Sequence, residues 1–207
     1  MVISEQLPRL TETQSFIKRS FDVILSLSGL LALWWLIFFS WLLASLDTRS
    51  NGFFVQQRVG LNGRLFSVIK IKTMRPMGNL TTTVTQSGDP RITKIGSFLR
   101  KVKLDELPQL WNVLVGEMSF VGPRPDVPGF ADTLQGEERA ISAIRPGITG
   151  PATLKYRNEE KLLAEQADPE HYNKYVIYPD KVIINLRYIK EWSFTKDLVY
   201  IVRTVVR

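Results

Sequence analysis

The sequence contains no cysteine and a single histidine, His171, among its 207 residues. Without cysteine the chain forms neither a disulfide framework nor a thiolate metal site, and it has no cysteine nucleophile. One histidine argues against Ser-His-Asp catalysis and against metal sites built from several histidines. Any chemistry must therefore depend on carboxylates, lysine, arginine and hydroxyl groups.

Acidic residues are scarce in the middle of the chain. Residues 49–129 hold twelve basic and five acidic side chains, whereas the two flanking segments are nearly balanced, so this middle part carries the net charge of +7. Such a surplus indicates a polyanionic partner: nucleic acid, an anionic membrane surface or a phosphorylated small substrate. At 44% apolar residues the chain does not have the composition of a disordered tail.

The longest uncharged run covers 24 residues, 23–46, and contains no proline. As a helix it would be about 36 Å long, enough to cross a hydrocarbon core of about 30 Å. A secretory signal would be shorter and would begin near residue 1. We therefore predict a membrane-embedded segment within residues 1–48 and a second domain in residues 49–207, with a buried core helix as the alternative.

Basic residues flank this run on both sides, with Lys18 and Arg19 before it and Arg49 and Arg58 among those after it. The positive-inside rule draws both flanks toward the cytoplasm, which predicts a re-entrant helix rather than a simple span. Ser26, Ser28 and Gly29 are the candidates for the bend, because serine hydroxyls can satisfy freed backbone carbonyls.

The remaining sequence predicts an α+β fold. Residues 53–59 and 64–72 alternate at a strand period around a glycine-containing turn, which predicts a β-hairpin with Lys70 and Lys72 on one face. Residues 75–90 have the composition of a mobile loop. Apolar spacing predicts a mostly helical compact domain, whose terminal amphipathic helices suit either a membrane interface or a core. The predicted helices lie near residues 95–102, 107–115, 137–144, 159–167, 181–191 and 196–206.

Asp105 and Glu106 are adjacent carboxylates near the start of the predicted 107–115 helix, where the positive end of the helix favours anions. A helix cap is the ordinary explanation of such a pair. Here Arg100 precedes it, and Arg124 lies downstream between Pro123 and Pro125, on a stiff loop that suits phosphate binding. Carboxylates among cations suit phosphoryl transfer from a diphosphate: one carboxylate binds Mg²⁺ and the other is a nucleophile.

These residues stand within longer blocks that occur in a fixed order, among them Gln57-Arg58-Val59-Gly60, Lys70-Ile71-Lys72-Thr73-Met74, Leu104-Asp105-Glu106-Leu107-Pro108-Gln109, Val121-Gly122-Pro123-Arg124-Pro125 and Arg145-Pro146-Gly147-Ile148-Thr149-Gly150. With these blocks the chain resembles the bacterial sugar transferases, the monotopic phosphoglycosyl transferases, over nearly its whole length.

The resemblance implies a two-step reaction on the cytoplasmic face of the bacterial inner membrane. Asp105 would attack the β-phosphorus of a UDP-sugar and release UMP, and a polyprenol phosphate would then take the phosphosugar. Glu106 would bind Mg²⁺, and Arg100 and Arg124 would belong to the active site. The resemblance also implies substrate-binding roles for Lys72 and Arg157, contact with membrane lipid and, by analogy, a homodimer.

The chain departs from this family at Leu33-Trp34-Trp35, where relatives commonly break the membrane helix with Ser-Pro, and in residues 151–158.

Three other functions are weighed against transfer. A membrane-anchored nucleic-acid binder is disfavoured because Trp111 falls on an apolar helix face and no stacking platform emerges, so no nucleic-acid partner is expected. A scaffold without catalysis leaves the carboxylates and arginines unexplained, and a lipid diphosphate hydrolase would use water as the acceptor.

Overall fold

The computed structural model describes residues 8–76 and 85–206, which form an α+β fold. The helices are α1 (Glu12–Thr48), α2 (Lys94–Lys101), α3 (Gln109–Val115), α4 (Pro151–Lys155), α5 (Glu159–Ala164), α6 (Pro169–Tyr172), α7 (Tyr178–Lys190) and α8 (Phe194–Val205). The strands are β1 (Phe53–Val59), β2 (Leu65–Ile71), β3 (Ser119–Val121) and β4 (Gly147–Thr149). The predicted fold class and the predicted hairpin are confirmed.

Helix α1 begins with a capping box, in which Thr11 and Gln14 satisfy each other's backbone N–H groups. It ends at Arg49, whose left-handed backbone (φ 50°) closes the last turn. The helix runs unbroken through Ser26, Ser28 and Gly29, where the sequence predicted a bend. The Ser26 hydroxyl does bond back to the Asp22 carbonyl at 2.6 Å, but this bond forms within a regular helix.

The polarity of α1 is the reverse of that of a soluble amphipathic helix. Its buried residues are small or polar: Lys18, Asp22, Ser26, Ser40, Ala44 and Thr48. Its large apolar side chains are exposed, including Ile24, Leu27, Leu31, Trp34, Trp35, Phe38, Phe39, Leu42, Leu43 and Leu46. Among the described residues α1 is the one helix long and apolar enough to cross a membrane. This outward apolar surface suits lipid contact.

Both ends of α1 contact the same domain. Near its start, Lys18 forms a buried ion pair with Asp197 of α8 at 2.6 Å, and Asp22 accepts hydrogen bonds from the Ser119 hydroxyl and the Phe120 N–H. Near its end, Ala44 packs in a core cluster with Ile71 and Leu99. The domain therefore holds α1 at both of its ends.

Strands β1 and β2 pair antiparallel with Phe54 opposite Lys70 and Arg58 opposite Phe66. Alternate residues of a strand, and residues directly opposite one another, point to the same side of a sheet. Lys70 therefore shares a face with Phe66 and Val68. These two apolar residues pack on Val113 of α3 and on Met118. The hairpin therefore places Lys70 beside the start of α3.

Several predicted helices have different bounds. Helix α3 begins at Gln109, and its buried side includes Leu110 and Val113, whereas Trp111 is 52% exposed and does not pack in the core. The segment predicted as a helix near residues 137–144 is 3₁₀-helical over Gly136–Ala143. Of the loop predicted over residues 75–90, residues 77–84 lie outside the described part of the chain.

A short parallel pair, β3 and β4, holds the Pro-Arg-Pro loop in place. The two backbone segments approach so closely that a Cβ on Gly147 would lie 2.1 Å from the Gly122 nitrogen. The Gly147 N–H also donates to the Pro123 carbonyl at 2.7 Å. The residue before Arg124 is thus fixed to β4.

Candidate active site

Asp105 and Glu106 lie in a single 3₁₀ turn, Leu104–Glu106, between α2 and α3. The turn is preceded by Lys103 in the left-handed conformation (φ 62°), which reverses the chain after α2. Leu104 packs against the core cluster of Ala44, Ile71 and Leu99. The apolar residue that precedes the carboxylates therefore anchors them to both α1 and the hairpin.

Glu106 is held by two cations that come from different parts of the chain. Its Oε1 accepts from the Lys70 ammonium of β2 at 3.2 Å and from the Arg124 guanidinium at 2.7 Å. The Glu106 side chain is only 11% exposed, whereas that of Arg124 is 41% exposed. Glu106 is thus a fixed, largely buried anion beneath an accessible arginine.

The pKa shifts of this trio follow from their contacts. Burial alone would raise the pKa of Glu106, but the charges of Arg124 and Lys70 outweigh it and lower that pKa well below its usual value. The Glu106 carboxylate in turn raises the pKa of Arg124. Burial lowers the pKa of Lys70, and the Glu106 charge opposes that shift. Glu106 is therefore ionised at neutral pH.

Asp105 has the opposite shift. Burial and the neighbouring Glu106 charge raise its pKa to about 6, although Lys70, Lys103 and Arg100 act against the rise. Its Oδ1 atom is buried and has no hydrogen-bond partner. An ionised carboxylate oxygen that no donor satisfies is poorly solvated and strongly basic, which are the properties of a nucleophile or a metal ligand.

Three of the predicted site residues come together: Asp105, Glu106 and Arg124. Arg100 lies at the edge, where it forms an ion pair with Glu160 of α5 while its charge still acts on Asp105. The Lys72 ammonium instead contacts the Ser50 hydroxyl at 2.9 Å, beyond the end of α1.

Arg157 also lies away from the carboxylate pair. Its guanidinium donates to the backbone carbonyl of Arg203 in α8, and no contact with the Asp105–Glu106 pair is observed among the described residues. Its substrate-binding role stays a prediction from the resemblance.

Lys70 is the site residue that sequence reasoning did not assign. Alternation had placed Lys70 and Lys72 on one face, so a face position alone could not separate them. The signal that separates them is proximity to the core: Phe66 and Val68 bury the middle of β2 against α3, and Lys70 is the next residue on that face. Arg58, on the same face of β1, donates to the Pro125 carbonyl at 3.1 Å and supports the loop that carries Arg124.

A comparison with protein families matches the bacterial sugar transferase model to residues 13–207, which include all of α1 but its first residue, the hairpin and the turn that carries Asp105 and Glu106. The chain belongs to the bacterial sugar transferase family. The predicted resemblance is confirmed, and the two basic residues that contact Glu106 lie within the matched range.

Curated relatives of this bacterial sugar transferase cover most of the chain. An undecaprenyl-phosphate glucose phosphotransferase from Komagataeibacter xylinus is 36% identical over 96% of this chain but only 37% of its own length. A UDP-glucose:undecaprenyl-phosphate glucose-1-phosphate transferase from Escherichia coli is 33% identical over 96% of this chain and 41% of its own. The exopolysaccharide production protein ExoY of Sinorhizobium fredii is 33% identical over 91% of this chain and 83% of its own. The chain thus spans most of some relatives and under half of others.

Proposed function

We propose that this bacterial sugar transferase moves a phosphosugar from a UDP-sugar to a polyprenol phosphate such as undecaprenyl phosphate and releases UMP, as an early membrane step of glycan assembly. The names of the relatives support both substrates and a place in exopolysaccharide synthesis. The observation that carries the proposal is the unsatisfied Oδ1 of Asp105, which lies beside a Glu106 fixed by Lys70 and Arg124.

In the first step an Asp105 carboxylate oxygen attacks the β-phosphorus of the UDP-sugar. A new oxygen–phosphorus bond forms, the bond from that phosphorus to the bridging oxygen breaks, and UMP leaves with the bonding electrons. Arg124 is exposed enough to bind the diphosphate, and Lys70, Lys103 and Arg100 add positive charge nearby. Fixed cations stabilise the negative charge that develops on the phosphoryl and leaving oxygens.

In the second step a phosphate oxygen of the polyprenol phosphate attacks the phosphorus of the aspartyl phosphosugar. The ester bond to Asp105 breaks, the carboxylate is regenerated, and the product is a polyprenol diphosphosugar. The raised pKa of Asp105, about 6, makes its carboxylate a stronger nucleophile for the first step than a fully solvated carboxylate.

The pair also fits a magnesium ion, with Glu106 as the proposed ligand. Mg²⁺ usually binds one or two protein carboxylates together with substrate phosphates and water. Asp105 and Glu106 provide such oxygens, and within residues 8–76 and 85–206 they belong to no group of three or more His, Cys, Asp or Glu side chains. When bound, Mg²⁺ would neutralise charge on the diphosphate.

We further propose that the active site lies on the cytoplasmic face of the bacterial inner membrane, with the exposed apolar side of α1 in lipid. Contacts of both ends of the unbroken α1 with the same domain support an arrangement in which the helix lies along one face of the bilayer, with both of its ends on the same side. The exposed Trp111 of α3 suits the interfacial zone, where tryptophan is enriched.

The direct test uses detergent-purified protein, a panel of UDP-sugars, Mg²⁺ and undecaprenyl phosphate, with UMP release as the readout. We expect release that requires Mg²⁺ and that is lost in Asp105→Asn, and a phosphosugar adduct in the intact mass when the acceptor is omitted. Glu165→Gln, an exposed carboxylate at the end of α5, is the matched control and should keep activity.

Undiminished UMP release in Asp105→Asn would contradict the nucleophile assignment. A scaffold without catalysis gives neither UMP nor the adduct. A lipid diphosphate hydrolase gives no UMP from the UDP-sugar, whereas the proposed reaction releases UMP and, without the lipid acceptor, stops after one turnover.

A further inference from the structure

Three basic residues lie at or near the end of α1 and take no part in the Glu106 ion pairs. Arg49 closes the helix in the left-handed conformation. The Lys72 ammonium contacts the Ser50 hydroxyl at 2.9 Å, and the Arg75 guanidinium contacts the Asp47 carbonyl and carboxylate. We call Arg49, Lys72 and Arg75 the helix-end cluster.

The helix-end cluster carries more positive charge than its contacts neutralise. Asp47 is the one carboxylate that these contacts bring to it within the described residues, which leaves a surplus of two positive charges. The Arg75 side chain is 55% exposed, and Arg49 is exposed as well. An exposed surface with such a surplus of positive charge is suited to binding a polyanion.

The position of the helix-end cluster specifies which anion fits. The last turns of α1 lead to it with exposed apolar side chains, among them Phe38, Leu42 and Leu46. Next to it the Trp41 indole donates to the Asn51 side chain, as expected for a tryptophan at the boundary between lipid and water. A ligand at this place would have its anionic group at the cluster and its apolar part along α1.

The helix-end cluster also lies close to the 3₁₀ turn that carries Asp105 and Glu106. Lys72 is two residues beyond Lys70, or about 7 Å along an extended strand, and Lys70 contacts Glu106. Leu104, directly before Asp105, packs in the same core cluster as Trp41 and Ala44 near the end of α1. An anion bound at the helix-end cluster would therefore be a near neighbour of the Asp105 carboxylate.

We propose that the helix-end cluster binds the phosphate of the polyprenol phosphate acceptor, while the polyprenyl chain lies along the exposed apolar side of α1. The inference rests on the proposed function and adds where the second substrate enters. A phosphate monoester carries between one and two negative charges at neutral pH, about the surplus of the cluster, whereas a phospholipid diester carries one. Lys72 thus acts on the acceptor rather than on the nucleotide sugar.

The test measures kcat/KM separately for the two substrates, because in a double-displacement reaction each value reports its own half-reaction. The protein is placed in phosphatidylcholine nanodiscs with undecaprenyl phosphate and the UDP-sugar that gives the fastest UMP release. The variant is Arg49→Asn/Lys72→Gln, since asparagine tolerates the left-handed backbone at residue 49. We expect kcat/KM for the acceptor to fall about a hundredfold, roughly tenfold for each lost charged contact.

In the same variant, kcat/KM for the UDP-sugar and the yield of phosphosugar adduct without acceptor should be unchanged. Arg64→Gln, at the opposite end of the hairpin, is the control and should leave both values unchanged. Lys72→Arg combined with native Arg49 should restore acceptor use. An equal loss in Arg64→Gln would indicate a general charge effect and overturn the inference.

Two other results separate the possible failures. If the native protein forms no adduct, the proposed function itself fails, whereas normal acceptor use by the double variant overturns the helix-end site alone. A third arm adds phosphatidylglycerol to the nanodiscs. If this lipid suppresses acceptor use by the native protein and not by the double variant, the cluster is a phospholipid site, and the acceptor assignment is wrong.

Discussion

Asp105 and Glu106 are neighbours in the chain, yet their surroundings move their pKa values in opposite directions. Glu106 points into two cations and stays charged, whereas Asp105 is buried without a donor on Oδ1 and its pKa rises to about 6. The difference arises from contacts that are distant in sequence, because Lys70 and Arg124 lie 36 and 18 residues from Glu106. Two carboxylates with separate roles result.

Asp105→Asn should make the metal-free protein more stable at pH 8 while abolishing activity. The raised pKa means that the folded state binds a proton more tightly than the unfolded state, for which the pKa is about 4. Stability therefore falls as pH rises from about 4 to 6, and the loss, about 1 to 3 kcal/mol, is complete above pH 6. Asparagine removes this cost.

Thermal unfolding in detergent with EDTA provides the measurement. The midpoint of Asp105→Asn should exceed that of the native protein at pH 8, and the difference should shrink as the pH approaches 5. A lower midpoint for the variant at pH 8 would show that the Asp105 carboxylate is satisfied in the folded protein.

Lys70→Met should lower the rate of UMP release by about a hundredfold, the cost of removing one preorganised charge from a transition state. The methionine keeps the length of the side chain but leaves Glu106 with Arg124 alone. Lys70→Arg should recover part of the loss. The control is Lys155→Met, whose exposed ion pair with Asp180 lies outside this site, and equal rates for the two methionine variants would contradict a role for Lys70.

At this scale the sequence identified Asp105, Glu106 and Arg124 as one site, because their motif and charge context are local. It could not rank Lys70 above Lys72, since a period of two puts both on one face and only the packing of β2 on α3 decides which ammonium reaches Glu106. Nor could it foresee that Arg100 contacts Glu160, because that ion pair joins residues 60 positions apart.

At the scale of elements, α1 is attached through polar contacts rather than through an apolar stripe. Lys18 and Asp197 form the central pair, and Asp197 also accepts from the Tyr188 hydroxyl at 2.7 Å and the Trp192 indole at 3.1 Å. The sequence predicted the hairpin closely, because it depends on local periodicity, whereas α1 begins at Glu12, eleven residues before the apolar run. It misplaced the start of α3, since a 3₁₀ turn and a helical turn share nearly the same spacing.

Lys18→Met should therefore destabilise the protein by about 3 kcal/mol, since removing one partner of a buried pair leaves the other charge uncompensated. Unfolding by denaturant in detergent measures the change. Lys196→Met, in α8 directly before Asp197, is the matched control. Its exposed pair with Glu191 should contribute less than about 1 kcal/mol.

A double variant tests whether the loss of stability in Lys18→Met is electrostatic in origin. Lys18→Met/Asp197→Asn should be more stable than Lys18→Met, because the second change removes the stranded charge, while the amide oxygen can accept from the Trp192 indole and the amide N–H can donate to the Tyr188 hydroxyl oxygen. Additive losses would contradict an electrostatic origin.

At the scale of the whole molecule, a long helix with an exposed apolar surface packs by both ends against a compact domain. The helix is about 55 Å long at 1.5 Å per residue, and its contacts with α8 at one end and with the β2–α2 core at the other keep both ends beside the domain. The sequence predicted the same-side arrangement from its basic flanks. The predicted bend at Ser26, Ser28 and Gly29 is absent, and the lack of a proline in this run was the sequence signal that favoured an unbroken helix.

The absence of cysteine makes the topology directly measurable, because a single introduced cysteine has no background. Arg9→Cys and Arg64→Cys, on either side of α1, should both resist a membrane-impermeant maleimide added to intact spheroplasts and both react after lysis. Labelling of one position before lysis would indicate a helix that crosses the bilayer. Leu31→Cys should react slowly in both conditions, since that exposed side chain would face lipid in the proposed arrangement.

The order in which the chain is synthesised gives the polar side of α1 a consequence for biogenesis. Lys18 and Asp22 leave the ribosome about 100 residues before Ser119 and Phe120 and about 180 residues before Asp197. At typical synthesis rates the longer interval is about ten seconds or more. Until α8 is made the charges of Lys18 and Asp22 must stay hydrated, so the final packing of α1 depends on the synthesis of α8.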